Sequence, residues 1–315
     1  MNNENYILRS RGLTKRFGNL TAVDDLDLTI KKREIFGFLG PNGAGKTTAI
    51  RMMVGLLEPT SGKITFRGSG KFRPEENLGV CPQEFVFWEQ LTCGENLRFI
   101  GRMYDVPERQ LTSRVETLLK ELNLKDKAGS RASSLSGGMK RKLNLGMSLV
   151  HDPDLVILDE PSAGLDPQSR LSLWEYIRAL REQKGRTVIL TTHLMEEADR
   201  LCDRVGIMNQ GKLLVVDTPK KLKKSVGEED SITITLENPE TNSEALQLLK
   251  ELKETVEARE VENSLVLRAP NAVARLPNYI DKLGHAGLVV SEVSISRTNT
   301  LEDVFIHLTG RRLQE

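Results

Sequence analysis

Only three of the 315 residues are cysteine, and Cys81, Cys93 and Cys202 share no metal-ligand spacing. An odd, sparse set argues against a disulfide framework and suits reduced thiols in a cytosolic protein. An excess of one charge is lacking too, since 45 Lys and Arg stand against 44 Asp and Glu. Nucleic-acid binders normally carry a basic excess or stripe, so no nucleic-acid partner is expected. The short basic clusters at 31–33, 140–142 and 220–224 read as solvated faces and helix ends. No apolar run approaches the roughly 20 residues that cross a bilayer. Residues 1–10 lack the apolar core of a signal peptide. Repeats and low-complexity tracts are missing as well. Membrane contact, if any, is expected to come through another protein.

What remains is a globular composition, 38% hydrophobic and 28% charged, in a chain long enough for two domains. Residues 6–17 and 22–30 read as antiparallel strands, the second alternating apolar and polar positions. Residues 35–39 are a short apolar strand feeding a glycine-rich loop, and Ile50, Met53, Val54 and Leu57 mark the helix after it. About 84–150 reads as helical, with Leu111, Val115, Leu118 and Leu119 at helical spacing and Leu143, Met147 and Val150 marking a further helix. From 155 onward, strands at 155–158, 187–190 and 205–208 alternate with helices at 171–180 and 194–201. That alternation predicts a parallel sheet covered on both faces. The charged segment 220–230 suits a linker. Beyond it, strand, helix, a hairpin at Glu262–Asn263, helix and strand give a βαββαβ order, for which the ferredoxin-like α+β arrangement is the expectation. The expected domains are 1–222 and 231–315.

The strongest chemical signal is GPNGAGKTT, residues 40–48. Gly40, Gly43 and Gly45 let the backbone curl so that its N–H groups converge on a phosphate, and the following helix adds its positive end. Lys46 supplies charge to the β- and γ-phosphates, and Thr47 a hydroxyl to magnesium. The strand at 155–158 ends in Asp159–Glu160, where ligands of an open parallel sheet bind. Asp159 is expected to hold magnesium and Glu160 to polarise an attacking water. LSGGM, residues 135–139, opens a helix with a serine and two glycines. It reads either as a second anion site or as a plain helix cap.

Together these elements resemble the ATP-binding subunit of ABC transporters over roughly residues 4–220. GPNGAGKTT is similar to that family's Walker A, LVILDE to its Walker B, and Leu135, Ser136, Gly137, Gly138 and Met139 to its signature. The resemblance makes Gln83 the Q-loop glutamine, His193 the switch histidine, and Ser162, Gly164, Leu165 and Asp166 the D-loop. It assigns Phe17 to stacking on adenine. Val23, Pro41, Asn42, Ala44 and Thr48 join the other loop residues as nucleotide contacts, and Gln83 joins Thr47 and Asp159 around magnesium. The implied fold is an α/β P-loop cassette of mixed sheet core, antiparallel β subdomain and helical subdomain, with a small C-terminal α+β domain. Two such cassettes pair head to tail, each signature closing on the partner's ATP, so a second copy or a homologous cassette is an implied partner.

Three departures stand out. Met139 replaces the usual glutamine of the signature, Phe17 replaces the commoner tyrosine, and the segment 67–80 is short, as if a hairpin were trimmed. None removes a catalytic group. The aromatics Phe85, Phe87, Trp88 and Phe99 read either as core of the helical region or as a groove for a permease helix. The ending at 298–311 resembles cassettes of daunorubicin-type exporters, whose permease is a separate chain. The resemblance implies an ATPase at the cytoplasmic face of the cell membrane, driving export. The rival readings are a soluble ABC ATPase working on ribosomes or DNA, and a nucleotide-gated module that hydrolyses nothing.

Overall fold

The structure is a computed structural model that describes residues 5–67, 73–226, 230–253, 255–296 and 300–310. It divides into two compact units, Met1–Val216 and Asp217–Glu315.

The first unit opens with β1 (Tyr6–Phe17) and β2 (Leu20–Lys31), followed by β3 (Ile35–Leu39), α1 (Lys46–Met53) and β4 (Ser61–Phe66). β1 pairs antiparallel with β2 on one side and β4 on the other, giving a three-stranded sheet of order β2-β1-β4. Next come α2 (Pro74–Asn77), β5 (Leu78–Cys81), α3 (Cys93–Met103), α4 (Glu108–Glu121) and α5 (Gly137–Leu149). The unit finishes with β6 (Leu155–Asp159), α6 (Pro167–Glu182), β7 (Thr187–Thr192), α7 (Met195–Leu201), β8 (Arg204–Asn209) and β9 (Lys212–Asp217), whose last residue lies across the division. A second sheet runs β5-β6-β7-β3-β8-β9, with β5, β6, β7, β3 and β8 parallel. Every residue of β3, β6 and β7 is buried, as expected for strands with both faces covered.

Helix α1 packs between the two sheets. Its Ala49, Ile50, Met52 and Met53 share one core with Leu8, Leu13, Leu26 and Ile30 of the antiparallel sheet and with Phe36, Phe38, Ile157 and Ile189 of the parallel one. The helical region starts later than its pattern suggested. Thr92 caps α3 with a capping box, its hydroxyl accepting the Glu95 N–H while Glu95 accepts from Thr92. Strands β4 and β9 escaped the periodicity reading because neither has a fully buried residue to mark an apolar face, and β5 because it is only four residues long.

The second unit comprises α8 (Pro219–Ser225), β10 (Asp230–Leu236), α9 (Asn242–Lys250), β11 (Glu257–Val261), β12 (Ser264–Ala269), α10 (Ala272–His285), β13 (Val290–Ser296) and α11 (Leu301–Thr309). Its sheet is fully antiparallel with order β11-β12-β10-β13, the strand order of a ferredoxin-like βαββαβ unit. The supposed linker is mostly helix. Thr218 caps α8 by accepting the Lys221 N–H at 3.3 Å, Pro219 starts its first turn, and Leu222 is buried. Residues 227–229 of that segment, 68–72 of the shortened one, and 298, 299 and 311 of the exporter-like ending lie outside the described residues.

Candidate active site

The phosphate loop spans residues 40–45 between β3 and α1. Gly45 caps α1 with φ of 99°, and a Cβ there would sit 2.3 Å from the Ala22 carbonyl oxygen, so glycine is required twice over. Lys46 folds back over the loop, its Nζ donating to the carbonyls of Gly40 at 2.7 Å and Pro41 at 3.1 Å. The same Nζ lies 3.6 Å from Glu160 Oε1. Burial pushes the Lys46 pKa below the ordinary lysine value, and the neighbouring Glu160 and Asp159 carboxylates pull it partly back. A charge so poorly hydrated interacts strongly with an arriving phosphate.

Strand β6 delivers the two carboxylates to opposite purposes. Asp159 accepts from the Thr191 hydroxyl on adjacent β7 and from the Thr47 hydroxyl at 3.2 Å. Glu160 has φ of 47°, in the left-handed region. Its N–H donates to Thr191 O at 3.2 Å and Thr191 Oγ1 at 3.0 Å. That turn aims the Glu160 side chain at Lys46 on one side and at His193, where Nδ1 stands 3.0 Å from Oε2. The imidazole contact is off the hydrogen-bonding direction, so it is a close approach and not a hydrogen bond.

Lys46, Thr47 and Glu160 border a cavity of about 620 Å³, large enough for a nucleotide, whereas Asp159 and His193 do not line it. Of the expected contacts, Phe17, Asn42, Gly43, Ala44, Gly45, Lys46, Thr47, Thr48, Gln83 and Glu160 line it. The Phe17 ring is half exposed at the end of β1, with Lys15 Nζ 5.2 Å from its centroid. Val23 stands elsewhere: it is wholly buried in the core, because it points into the sheet–α1 interface, and its neighbours Leu20, Thr21 and Ala22 take the wall instead. Gly40 and Pro41 act behind the wall by holding Lys46. Gln210 and Gly211 also line the cavity and carried no sequence signal. Their turn is fixed by Gly211 N–H donating to Ala44 O at 3.0 Å.

The signature segment lies outside this cavity. Ser136 is exposed and caps α5, accepting the Met139 N–H at 3.4 Å. Gly137 is exposed, Met139 and Gly138 are half exposed, and Leu135 is buried beneath them. Gly138 passes so close to α6 that a Cβ would lie 2.6 Å from Ser169 Oγ. In the D-loop, Ser162 and Leu165 are buried, Gly164 turns the chain, and Asp166 caps α6 by accepting the Ser169 N–H at 2.9 Å.

Helix α5 also fixes the segment around Gln83, a link that no motif announced. Asn144 donates to Pro82 O and Glu84 O, each at 3.2 Å, and accepts the Val86 N–H at 3.2 Å. Arg141 donates to Pro82 O at 3.1 Å, with its guanidinium 5.2 Å from the Phe85 ring. Gln83 itself is left exposed on the cavity wall. Downstream, Phe85, Trp88 and Phe99 are each more than 40% exposed, so they build a surface rather than a core.

For magnesium, the Thr47 hydroxyl and Asp159 carboxylate, 3.2 Å apart at the loop, are the hard oxygen donors this ion takes, and Gln83 offers an amide oxygen nearby. The three cysteines are all buried and free, and burial raises the Cys81 thiol to about 11, which leaves it inert.

Residues 23–163 match the family described as ABC transporter. The linearmycin resistance ATP-binding protein LnrL of Bacillus subtilis is 35% identical, the alignment covering 98% of this chain and all of that one. A Nod factor export ATP-binding protein I of Ralstonia nicotianae is 36% identical over 98% of this chain and 95% of its own. Among solved structures, cbiO1 of Clostridium perfringens, described as part of the complex cbiONQ, superposes with a TM-score of 0.64 at 28% identity. It covers 71% of this chain and 94% of its own. The chain belongs to the family of ABC transporter ATP-binding subunits, and it binds and hydrolyses ATP.

Proposed function

We propose that this subunit drives export through a separate permease chain at the cytoplasmic face of the membrane, working as a head-to-tail pair with a second copy or a homologous cassette. The observation that carries the reading is the split site: Lys46 and Glu160 line one cavity, with His193 against Glu160, while Ser136, Gly137 and Gly138 stand outside it. One nucleotide has no use for both in a single chain, whereas two chains facing each other complete two sites. Export is favoured by relatives whose names are linearmycin resistance and Nod factor export. No described helix is long and apolar enough to cross a membrane, so a permease is the route to it. The exposed Phe85, Trp88 and Phe99 are suited to receive a short permease helix.

In this mechanism the loop amides and Lys46 hold the β- and γ-phosphates, and Phe17 stacks on adenine. Thr47, Asp159 and Gln83 would hold magnesium, which when bound would supply positive charge against the phosphates. Glu160 orients and deprotonates the attacking water, with His193 beside it at the γ-phosphate. Gln83, tethered to α5 by its neighbours, reports occupancy to the helical region. The domain at 231–315 is accessory, contributing to pairing or packing.

The test is ATP hydrolysis by the purified chain beside Glu160→Gln, with particle size followed by light scattering. Turnover is expected to fall by about 100-fold or more, the scale of a lost general base, while ATP converts the variant into a stable dimer. Undiminished turnover removes Glu160 from its role; ATP-loaded variant that stays monomeric removes the paired site.

A further inference from the structure

Two residues after Glu160, the Ser162 hydroxyl donates to the carboxylate of Glu197, a residue no motif singled out. The Trp174 Nε1–H donates to the same oxygen at 2.9 Å and lies 2.8 Å from Ser162 Oγ, so the three side chains close a small buried network. Glu197 is 1% exposed and sits on α7, four residues beyond His193. Thr192, adjacent to His193, accepts the Leu194 N–H at 2.9 Å and its hydroxyl also stabilises the Glu197 carboxylate. Neither Glu197, Ser162 nor Trp174 lines the nucleotide cavity.

A carboxylate in such a place is costly. Burial raises the Glu197 pKa, opposed by the hydrogen bonds from Ser162, Thr192 and Trp174 and by the charge of Arg170. Well-packed apolar side chains commonly replace such groups without loss of stability. What the carboxylate does supply is a fixed distance between two chain segments that are 35 residues apart in sequence. One segment leaves β6 carrying Glu160, and the other leaves β7 carrying His193. Their side chains stand 3.0 Å apart, with Glu160 on the cavity wall.

We propose that Glu197 is a positioning residue for ATP hydrolysis: by tying Ser162 to α7 it sets the separation of Glu160 and His193. It touches neither nucleotide nor water and acts through those two groups. The proposal rests on the hydrolytic roles given above to Glu160 and His193. It predicts that the network matters to turnover and not to ATP capture, because Lys46 and the loop amides lie on the other side of Glu160.

The experiment compares kcat, KM and the ATP dissociation constant of the full-length wild type with Glu197→Ala, Glu197→Gln and Ser162→Ala. Misplacing a catalytic group by a fraction of an ångström to one ångström costs up to about 100-fold, so Glu197→Ala is expected to lose about 10- to 100-fold in kcat. Its ATP affinity is expected to stay within about twofold, the signature of an interaction felt only in the transition state. Glu197→Gln keeps an oxygen for Ser162 and Trp174 and is expected to recover most of the turnover. Ser162→Ala is expected to fall between them and to add nothing to Glu197→Ala, as coupled residues do. Wild-type kcat in Glu197→Ala overturns the proposal, as does a parallel loss of kcat and affinity. If Glu197→Ala fails to fold, undiminished kcat in Ser162→Ala overturns it alone. If Glu160→Gln turns over normally, the catalytic roles themselves fail, which separates the two conclusions.

Discussion

The phosphate loop and the signature segment of this chain are built in opposite ways. Around Lys46 the charges are buried and already committed: Nζ is held by two loop carbonyls, Glu160 lies 3.6 Å away, and Asp159 takes two hydroxyls. At residues 136–138 the helix end is open, with an exposed serine capping only its own first turn. The first region is organised before nucleotide arrives, which lowers the reorganisation needed in the reaction. The second is exposed at Ser136 and Gly137. On the paired arrangement proposed above, such a division makes hydrolysis conditional on pairing.

The comparison breaks most visibly at Lys46. Lys46→Ala is expected to weaken ATP binding by about 10- to 100-fold, the loss of a charge-assisted phosphate contact, and a nucleotide titration reads it directly. Ser136→Ala is expected to leave binding to the single chain intact and to lower turnover. Mixing the two impaired variants gives the sharper result. Half the random pairs are mixed, and each mixed pair has one of its two sites intact, so about one quarter of wild-type turnover should return. No recovery on mixing would place both regions in one functional site within a chain.

A smaller effect tests the bridge between the regions. Asn144→Ala leaves the Val86 N–H and the Glu84 carbonyl without this partner, while the Pro82 carbonyl keeps Arg141. Both groups are only part-buried, so the cost is about 1 kcal/mol, the low end for an unsatisfied group. A lowered Tm is expected, and wild-type stability would show that water replaces the amide. The smallest effect lies away from both regions, at His151, whose ring stacks on Tyr104 at 3.8 Å and contacts Leu78 O at 3.1 Å. Burial lowers its pKa below 6.5. The unfolded chain then binds the proton more readily, so this residue's contribution is present above about 6.5 and is lost as pH falls towards the folded value. His151→Gln should therefore show a shallower decline of Tm between neutral and acidic pH, and equal slopes would discount the burial.

The sequence carried much of the site because its chemistry is local. GPNGAGKTT needs only a strand before it and a helix after it, and both are legible within twenty residues as a buried apolar run and a helical repeat. The carboxylates at the end of β6 follow from the same logic. The βαββαβ order of the C-terminal unit was legible from alternating periods, and hydrogen-bond pairing then gave the ferredoxin-like strand order. Composition misled over the first half of 220–230, whose charge suggested a linker, while buried Leu222 and the Thr218 cap make a helix to Ser225.

Position in sequence could not report what depends on register between distant strands. Val23 was assigned to the nucleotide and belongs to the core, because one step along β2 exchanges the cavity wall for the sheet interior. Gln210 and Gly211 enter the cavity only because β8 lies beside β3. The Asn144 contacts to residues 82–86 and the Ser162–Glu197 bond join segments 35 to 62 residues apart. The sequence by itself determined the phosphate loop, the carboxylates and the signature, since backbone conformation and side-chain type within a few residues specify them. Tertiary structure alone decided which hydroxyls, amides and buried carboxylates hold those groups in place, because hydrogen bonds between remote segments exist only once strands and helices have packed in one register.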